Sequence, residues 1–447
     1  MKKILYSLII LFSVFVFFTA FFVEQLDTLD TTNNFNYKTS KLAHIKFRSA
    51  HPNFPFVQAE IVPVISRNGM RCVYTVLGTL VDKRKEKKYK EIRNVILSDD
   101  GLHLAYIATE KEESFLVCDG KEGKHYKNLA IHDPIISNNA KKSAYGVFDK
   151  LKRESFLVVN DSGKELISTR YPIFDHLTFS DNGRTLTYIA TEKGDSNTSC
   201  VIRNNAVVSK SYSSMFGLIV HPSLQSFAVI ARNKTDILEG FIVKDKQEIG
   251  KYKKYVSLSF SPDGKNLAAY VQEKGMYEET GRTKQGYPIM GFSKRPVAYI
   301  IEINEKGDFK EGNHYPFVSA PFYSSTGELA YLATKSKDYS PEQKLECFNC
   351  IVWDNIESSC YHLIDQKNIA FSPDGKKLGF VATIRENSQE RGFDQKKGII
   401  VWDKNKEKWI DFGNRKFVGP LVFSPDNRFI CYGAIQGSSI WWIVEKL

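Results

Sequence analysis

Apolar and polar positions recur in a fixed pattern along most of this chain. Each copy has an alternating apolar segment, a polar turn of the type Ser-Pro-Asp-Gly, a basic residue and a second apolar segment. The clearest copies have their turns at Ser261 and Ser372, and close variants occur at Ser424 and Ser180. Alternation predicts strands with one buried face, and Pro, Asp and Gly suit the corners of a tight turn. Each copy is therefore predicted to form a β-hairpin.

Weaker copies extend this pattern, and they begin at Ser66, Ser98, Ser137 and His221 and near Ser324. A period of about 40 residues is typical of repeat architectures. A second apolar pair follows many copies, as at residues 351–354 and 399–403, so each unit is predicted to hold the four strands of a propeller blade. The predicted fold class is all-β, a single closed β-propeller of about eight four-stranded blades, with seven to nine left open.

The turn phrases resemble those of the TolB-like (WD-like) family of bacterial β-propellers. The residues that carry the resemblance are the Phe-Ser-Pro-Asp-Gly-Lys runs at 260–265 and 371–376, together with the strand-linking run 119–126. The resemblance covers residues 60–447 and implies the propeller fold. It leaves the function open, because this fold carries out unrelated tasks.

The last unit supplies only three strands, at residues 421–423, 429–434 and 439–444. A strand at residues 42–47 is predicted to complete this blade and lock the ring, which removes exposed sheet edges. The predicted domain organisation is a membrane anchor or signal segment at 1–23, a tether at 24–40 and the propeller at 41–447.

An uninterrupted apolar run at residues 4–23 follows Lys2 and Lys3. About 20 residues in a helix span roughly 30 Å, the thickness of a bilayer core. We predict an uncleaved transmembrane helix whose lysines stay in the cytoplasm. The propeller is then expected outside the cytoplasm, on a bacterial inner membrane. A cleaved signal peptide that releases the protein is the alternative.

The net charge of +11 is densest at residues 83–90. Nucleic-acid binding would be the natural interpretation in a cytosolic protein, but export argues against it, so no nucleic acid is expected. One remaining interpretation of this basic segment is a solvent-exposed hairpin without a binding role. Attraction to anionic lipid headgroups or to an acidic wall polymer is the other.

Seven cysteines leave at least one thiol unpaired within a monomer. The cysteines in strand-like segments are expected to act as small core side chains, and they are Cys72, Cys118, Cys200 and Cys431. Cys347 and Cys350 form a Cys-x-x-Cys pair, and Cys360 lies nearby. A local disulfide among these three, free thiols and a metal site all stay open.

The sequence contains no nucleophile elbow, zinc-protease helix, phosphate-binding loop or dinucleotide fingerprint. No catalytic residue, metal site or cofactor is therefore predicted. The first hypothesis is a non-enzymatic scaffold that binds a protein or an anionic envelope component. The alternatives are an enzyme that acts on glycans through a cluster of carboxylates, Arg or His at the channel mouth, and a purely structural envelope component.

Three consecutive units carry long insertions after their second strands, at residues 272–295, 335–345 and 385–397. Connections in a meander alternate between two faces, so all three insertions are predicted on the face opposite the Ser-Pro-Asp-Gly turns. Insertions on one face of a repeat protein often bind partners, and Arg and Tyr are favoured there. The predicted binding residues are Tyr277, Arg282, Lys284, Tyr287, Phe292, Arg295, Arg385 and Arg391.

Overall fold

Every repeat unit forms a small antiparallel sheet in the computed structural model. The structure describes five short strands before residue 82, and then residues 89–447 apart from short gaps. The gaps are 99–100, 128, 138–140, 162–163, 169, 181–182, 193–197, 222–225, 233–239, 275–276, 283–287, 293–296, 337–346, 387–393 and 438. All regular elements within the described residues are strands, which confirms the all-β prediction.

The described strands form ten sheets, and nine of them follow one another along the chain and are numbered here as blades 1 to 9. Two strands, β1 (Phe22–Gln25) and β2 (Ser40–Lys46), precede blade 1. Blade 1 holds β3 (Ile61–Ile65), β4 (Cys72–Val76) and β5 (Thr79–Val81). Blade 2 holds β6 (Glu91–Leu97), β7 (Leu104–Glu110), β8 (Glu113–Cys118), β9 (Lys121–Glu122) and β10 (Tyr126–Lys127). Blade 3 holds β11 (Ala130–Ile136), β12 (Lys142–Asp149), β13 (Glu154–Asp161) and β14 (Lys164–Ile167).

The next three blades continue the same meander. Blade 4 holds β15 (Phe174–Phe179), β16 (Leu186–Thr191), β17 (Ser199–Arg203) and β18 (Ala206–Val207). Blade 5 holds β19 (Ser214–Val220), β20 (Phe227–Arg232), β21 (Gly240–Lys244) and β22 (Gln247–Lys253). Blade 6 holds β23 (Tyr255–Phe260), β24 (Leu267–Lys274), β27 (Val297–Ile303) and β28 (Phe309–Glu311), and it carries a separate hairpin of β25 (Tyr277–Arg282) and β26 (Pro288–Phe292).

The last three blades complete the series. Blade 7 holds β29 (Phe317–Val318), β30 (Phe322–Tyr323), β31 (Leu329–Ser336), β32 (Cys347–Trp353) and β33 (Ile356–Glu357). Blade 8 holds β34 (Leu363–Phe371), β35 (Leu378–Glu386), β36 (Asp394–Trp402) and β37 (Glu407–Asp411). Blade 9 holds β38 (Lys416–Phe423), β39 (Phe429–Gln436) and β40 (Ser439–Lys446).

The first strands of neighbouring blades contact one another and therefore lie innermost. Contacts join β3 to β6, β6 to β11, β11 to β15, β15 to β19 and β19 to β23. Later in the chain β34 contacts β38, and β38 contacts β3 of blade 1. Between the sheets lie separate apolar clusters, most of them built from two adjacent blades, such as the one around Tyr299 and Ile242. The core is therefore a series of layers between blades.

Blade 9 is completed from the N-terminal side, as predicted. Strand β2 pairs antiparallel with β40, and it spans Ser40–Lys46 where the prediction placed residues 42–47. Strand β1 pairs in turn with β2, and this strand was not predicted. Residues 4–21 of the predicted membrane helix lie outside the described residues, whereas Phe22 and Val23 lie in β1, as do the first two residues of the predicted tether. Among the described residues, no helix is long and apolar enough to cross a membrane.

The polar turns have the chemistry that the sequence predicted. The Ser261 hydroxyl donates to Asp263 Oδ1 at 2.6 Å and accepts the amide of Asn266 at 2.9 Å. Gly264 has φ +69° and Gly375 has φ +70°, a conformation that costs most side chains free energy. Seven turn serines are buried, and the hydroxyl oxygen of each accepts a hydrogen bond from a backbone amide four or five residues later. They are Ser98, Ser137, Ser180, Ser261, Ser324, Ser372 and Ser424.

Turns of neighbouring blades also contact each other. Ser325 Oγ donates to Pro373 O at 2.8 Å, and the Asp374 amide donates to Asn427 Oδ1 at 3.3 Å. His221 Nε2 donates to Pro262 O at 3.0 Å between blades 5 and 6. We call the surface formed by these turns the turn face.

Tyrosine–glutamate hydrogen bonds connect successive blades at the periphery. Tyr361 follows blade 7, and its hydroxyl donates to Glu407 Oε2 on the outer strand of blade 8 at 2.6 Å. The same bond joins Tyr315 to Glu357 at 2.7 Å and Tyr212 to Glu248 at 2.8 Å. Burial, followed by the Glu407 hydrogen bond, raises the pKa of Tyr361 well above its usual value. The neutral hydroxyl is therefore held as a donor.

Replacing Tyr361 with Phe is expected to lower the free energy of unfolding by about 1.5–3 kcal/mol, because a hydrogen bond to a charged group is lost. Glu407 would then keep the Ser359 amide, which donates to its Oε1 atom. Urea unfolding of Tyr361→Phe, Glu407→Gln and the double variant measures the coupling between the two side chains. Additive losses in the double variant would show that this bond contributes nothing.

Candidate ligand-binding face

The innermost strands of blades 2 to 5 carry a bulge at the same position. The register shifts follow Arg93, His132, Asp175 and Phe216. The next residue has positive φ in every case: Asn94 at 50°, Asp133 at 48°, His176 at 56° and Gly217 at 64°. Such a conformation costs a residue other than glycine about 1–3 kcal/mol and often marks functional sites. In blades 2 to 4 these positions hold polar or titratable side chains.

In blade 3, the His132 ring is held between two blades. Its Nδ1 lies 2.8 Å from Asp133 Oδ2, and its ring stacks on Phe174 of blade 4 with centroids 5.3 Å apart. Gly146 on the neighbouring strand makes room for the ring, since an added Cβ would lie 2.5 Å from His132 Cε1. The imidazole is therefore fixed in position, while the Asp133 side chain is 54% exposed.

Blade 4 repeats the arrangement with the two residues in reverse order. The His176 amide donates to Asp175 Oδ1 at 2.7 Å. His176 Nδ1 lies 3.2 Å from Asp175 Oδ2 without hydrogen-bond geometry, so this buried nitrogen has no hydrogen-bond partner among the described residues. Asp175 is 63% exposed. In blade 2, the Nε atom of Arg93 is buried and has no hydrogen-bond partner among the described residues. We call Arg93, His132, Asp133, Asp175 and His176 the inner arc.

The inner arc lies toward the face opposite the turns. Arg93 pairs with Ile107, His132 with Gly146 and Asp175 with Ile189, each at or beyond the middle of the second strand when counted from its Ser-type turn. This face also carries the connections between second and third strands. We call it the insertion face.

All three predicted insertions join a second strand to a third strand, as expected. The first runs between β24 and β27, the second between β31 and β32, and the third between β35 and β36. Within the first, β25 and β26 pair with each other as a two-stranded sheet. The insertions therefore extend the insertion face at blades 6, 7 and 8.

The structure describes the backbone of four predicted binding residues. Tyr277 pairs with Phe292 and Arg282 pairs with Pro288 in the β25–β26 hairpin. Arg385 lies in β35 and pairs with Gln395. The predicted residues Lys284, Tyr287, Arg295 and Arg391 lie outside the described residues. Their role in binding stays a prediction.

The inner arc was not predicted, although the sequence contains a signal for it. His132 and Asp133 precede the turn serine Ser137 by five and four residues, and Asp175 and His176 precede Ser180 by the same spacing. When the repeats are aligned on their turn serines, His132 therefore falls at the same position as Asp175, and Asp133 at the same position as His176. A search for close histidine spacing along the chain misses them, because each pair lies in a different unit.

Cys200 and Cys431 are buried in the core as predicted and Cys118 is half-buried, whereas the side chain of Cys72 lies outside the described residues. Burial raises the pKa of Cys118 and Cys200 to about 11 and that of Cys431 to about 12. Cys350 and Cys360 are free thiols, and the side chain of Cys347 lies outside the description. No cluster of His, Cys, Asp and Glu within the described residues is suited to a metal ion.

No protein-family model matches the chain, and no curated protein matches it. A eukaryotic initiation factor structure is 12% identical, over 87% of this chain and 96% of that chain, with a TM-score of 0.49. The β-propeller domain of the Trilobed protease from Pyrococcus furiosus is 12% identical over 81% and 96%, with a TM-score of 0.38. Oligogalacturonate lyase from Vibrio parahaemolyticus is 10% identical over 87% and 97%, with a TM-score of 0.40. β-Propeller proteins are thus among the similar structures, but these scores support no conclusion about activity, and TolB-like membership stays a prediction.

Proposed function

We propose that this chain is a non-enzymatic binding protein, built on a closed nine-bladed propeller and tethered to a membrane outside the cytoplasm. Its ligand is a protein or an anionic envelope component, and the insertion face is its binding surface. The observation that carries the proposal is that the insertions of three consecutive blades all join second and third strands.

Two sets of contacts support ring closure. Strand β3 contacts both β6 of blade 2 and β38 of blade 9, so blade 1 lies between its two neighbours. The β2–β40 pairing joins the N-terminal side of the chain to blade 9. A ring of nine blades accounts for both observations and leaves no blade face without a neighbour.

The membrane tether is proposed from the sequence. Phe22 and Val23 lie in β1, so the proposed helix is residues 4–21 of the apolar run. About 18 residues are long enough to span a bilayer, and Lys2 and Lys3 favour a cytoplasmic start. Release after signal cleavage is the alternative. The mass of the mature N terminus distinguishes these two outcomes.

The test of the binding face replaces residues 275–296 with Asn-Gly. Lys274 and Val297 are paired, so a two-residue turn can close β24 and β27 directly and the blade should still fold. Recovery of crosslinked partners from intact membranes, or co-sedimentation with phosphatidylglycerol vesicles, is expected to fall at least about tenfold, since one or two lost anchor residues cost this much.

A matched control makes the same change in a blade without an insertion. Residues 150–153 also join a second strand to a third strand, and the flanking Asp149 and Glu154 are paired. Asn-Gly at this position should leave binding unchanged. Full partner recovery by a folded 275–296 variant would rule out a role for the hairpin.

A second candidate is an enzyme that acts at the inner arc. The His132–Asp133 pair favours it, because a carboxylate that orients an imidazole is a common general-base arrangement. Turnover of an acidic glycan that is lost in His132→Gln would favour this candidate over binding alone.

A further inference from the structure

Cys350 and Cys360 flank the same cross-strand bridge at the outer side of blade 7. Asn349 and Tyr361 form a bridge in which each amide donates to the other's carbonyl, at 2.8 and 2.7 Å. Cys350 and Cys360 are the next residues inward on the two segments. In an antiparallel ladder, the position beside a hydrogen-bonded pair brings side chains closest, with Cα atoms about 4.5 Å apart. Disulfides need Cα separations of about 4.4–6.8 Å.

A bulge separates this bridge from the rest of the ladder. Val352 pairs with Glu357 and Asn349 pairs with Tyr361, so the outer segment has one residue more than β32 between these two pairs. Bulges re-aim side chains. Cys360 contributes to the raised pKa of Cys350, in agreement with the placement of the two residues beside one bridge.

The two thiols differ in access to solvent. Cys360 is exposed, whereas Cys350 is fully buried. Burial, followed by the charge effects of Cys360 and Glu357, raises the pKa of Cys350 to about 12. An external reagent therefore meets Cys360 first, and Cys350 is placed to react only with its neighbour.

We propose that Cys350 and Cys360 form a reversible intrachain disulfide by exchange with an external disulfide. The Cys360 thiolate attacks one sulfur of the external disulfide, forms a mixed disulfide and releases one thiolate. Cys350 then loses its proton and attacks the Cys360 sulfur, which releases the second thiolate. The two cysteines are oxidised, and the external disulfide is reduced to two thiols. This inference does not depend on the proposed binding function.

The disulfide would fasten the base of the second insertion. Glu357 accepts the Tyr315 hydroxyl at 2.7 Å and pairs with Lys335. Lys335 is the first residue of the insertion and lies near the end of β31, and β32 begins with Cys347 just after the insertion. Oxidation would therefore join β32 to the outer segment that carries Glu357, beside both ends of the insertion.

The test treats the full chain with oxidised glutathione at pH 8, followed by alkylation and peptide mass spectrometry. The parent protein should yield a Cys350–Cys360 crosslink without bound glutathione. Cys350→Ser should accumulate a mixed disulfide between Cys360 and glutathione, because no resolving thiol is present. Cys360→Ser should yield neither product, and Cys347→Ser should behave like the parent.

The rate of the closing step adds a second readout. Since only the thiolate attacks, closure should accelerate about tenfold per pH unit below the pKa of Cys350. A stable mixed disulfide in the parent, no reaction of the folded parent, or a crosslink that contains Cys347 would each overturn the proposal.

Discussion

Replacing Trp353 with Ala is expected to lower the free energy of unfolding by about 3–5 kcal/mol. This side chain is 1% exposed and lies at the end of β32. Its ring packs edge-on against Phe371 at 5.3 Å and Trp402 at 5.5 Å, both in blade 8. Removing the indole opens a cavity between two blades that share this apolar cluster.

Polar contacts of Trp353 add to this cost. The indole Nε1 donates to Glu328 Oε2 at 3.1 Å, and Lys404 Nζ lies 4.7 Å from the ring centre. Lys404 also donates to Glu328 Oε1 at 2.8 Å. The tryptophan, the glutamate and the lysine therefore form one unit across the blade 7–8 interface, and truncation of the indole weakens all three contacts.

Urea unfolding of Trp353→Ala and Trp353→Phe separates the two effects. Phe keeps most of the apolar packing and loses the indole donor, so its cost should be about 1–3 kcal/mol. A loss below about 1 kcal/mol in Trp353→Ala would contradict the assigned packing.

Replacing Gly375 with Val is expected to cost about 2–6 kcal/mol, the sum of backbone strain and overpacking. Its φ of +70° disfavours a β-branched side chain. An added Cβ would also lie 2.6 Å from Thr326 Oγ1, in the turn of the neighbouring blade 7. The substitution therefore disturbs both its own turn and the contact between turns.

Gly327→Val is the matched control, because it lies in the equivalent turn of blade 7. Its φ is +90°, but nothing lies within 4 Å of an added Cβ. This variant should lose only the backbone part, about 1–3 kcal/mol. Thermal unfolding of both variants measures the difference. Equal losses of unfolding free energy would mean that the contact between the turns of blades 7 and 8 does not contribute to stability.

Local chemistry explains which features the sequence predicts well. The turn at Ser261 depends on neighbours within five residues, so its hydroxyl bonds and the positive φ of Gly264 follow from the phrase itself. The place of the three insertions, between the second and third strands of their units, follows from counting the strands in each repeat. The strand at 40–46 is predictable because blade 9 lacks a fourth strand without it.

The inner arc depends on contacts that no local pattern shows. The positive φ of Asp133 accompanies a register shift in β11. The space that holds the His132 ring is formed by Gly146 and by Phe174 of the next blade.

Strand β1 was missed for another reason. Phe22 and Val23 end an apolar run that has the length of a membrane span, and a strand of four residues gives no competing signal.

The choice among disulfide, free thiols and metal could not be made from spacing either. Cys347 and Cys350 suggest a local pair, because they are three residues apart. The cysteine that flanks the same bridge as Cys350 is Cys360, and this follows from one extra residue in the outer segment of blade 7. Such a register shift is set by packing between blades.

The pairing of β2 with β40 has a consequence for synthesis of the chain. Roughly 390 residues separate the two strands, and at about 5–20 residues per second β2 waits roughly 20–80 seconds for its partner. During this time its backbone donors and acceptors on that side are open to other chains. Crowded translation on a single messenger would therefore place many waiting β2 strands near one another, and a holding chaperone would have most effect on this segment.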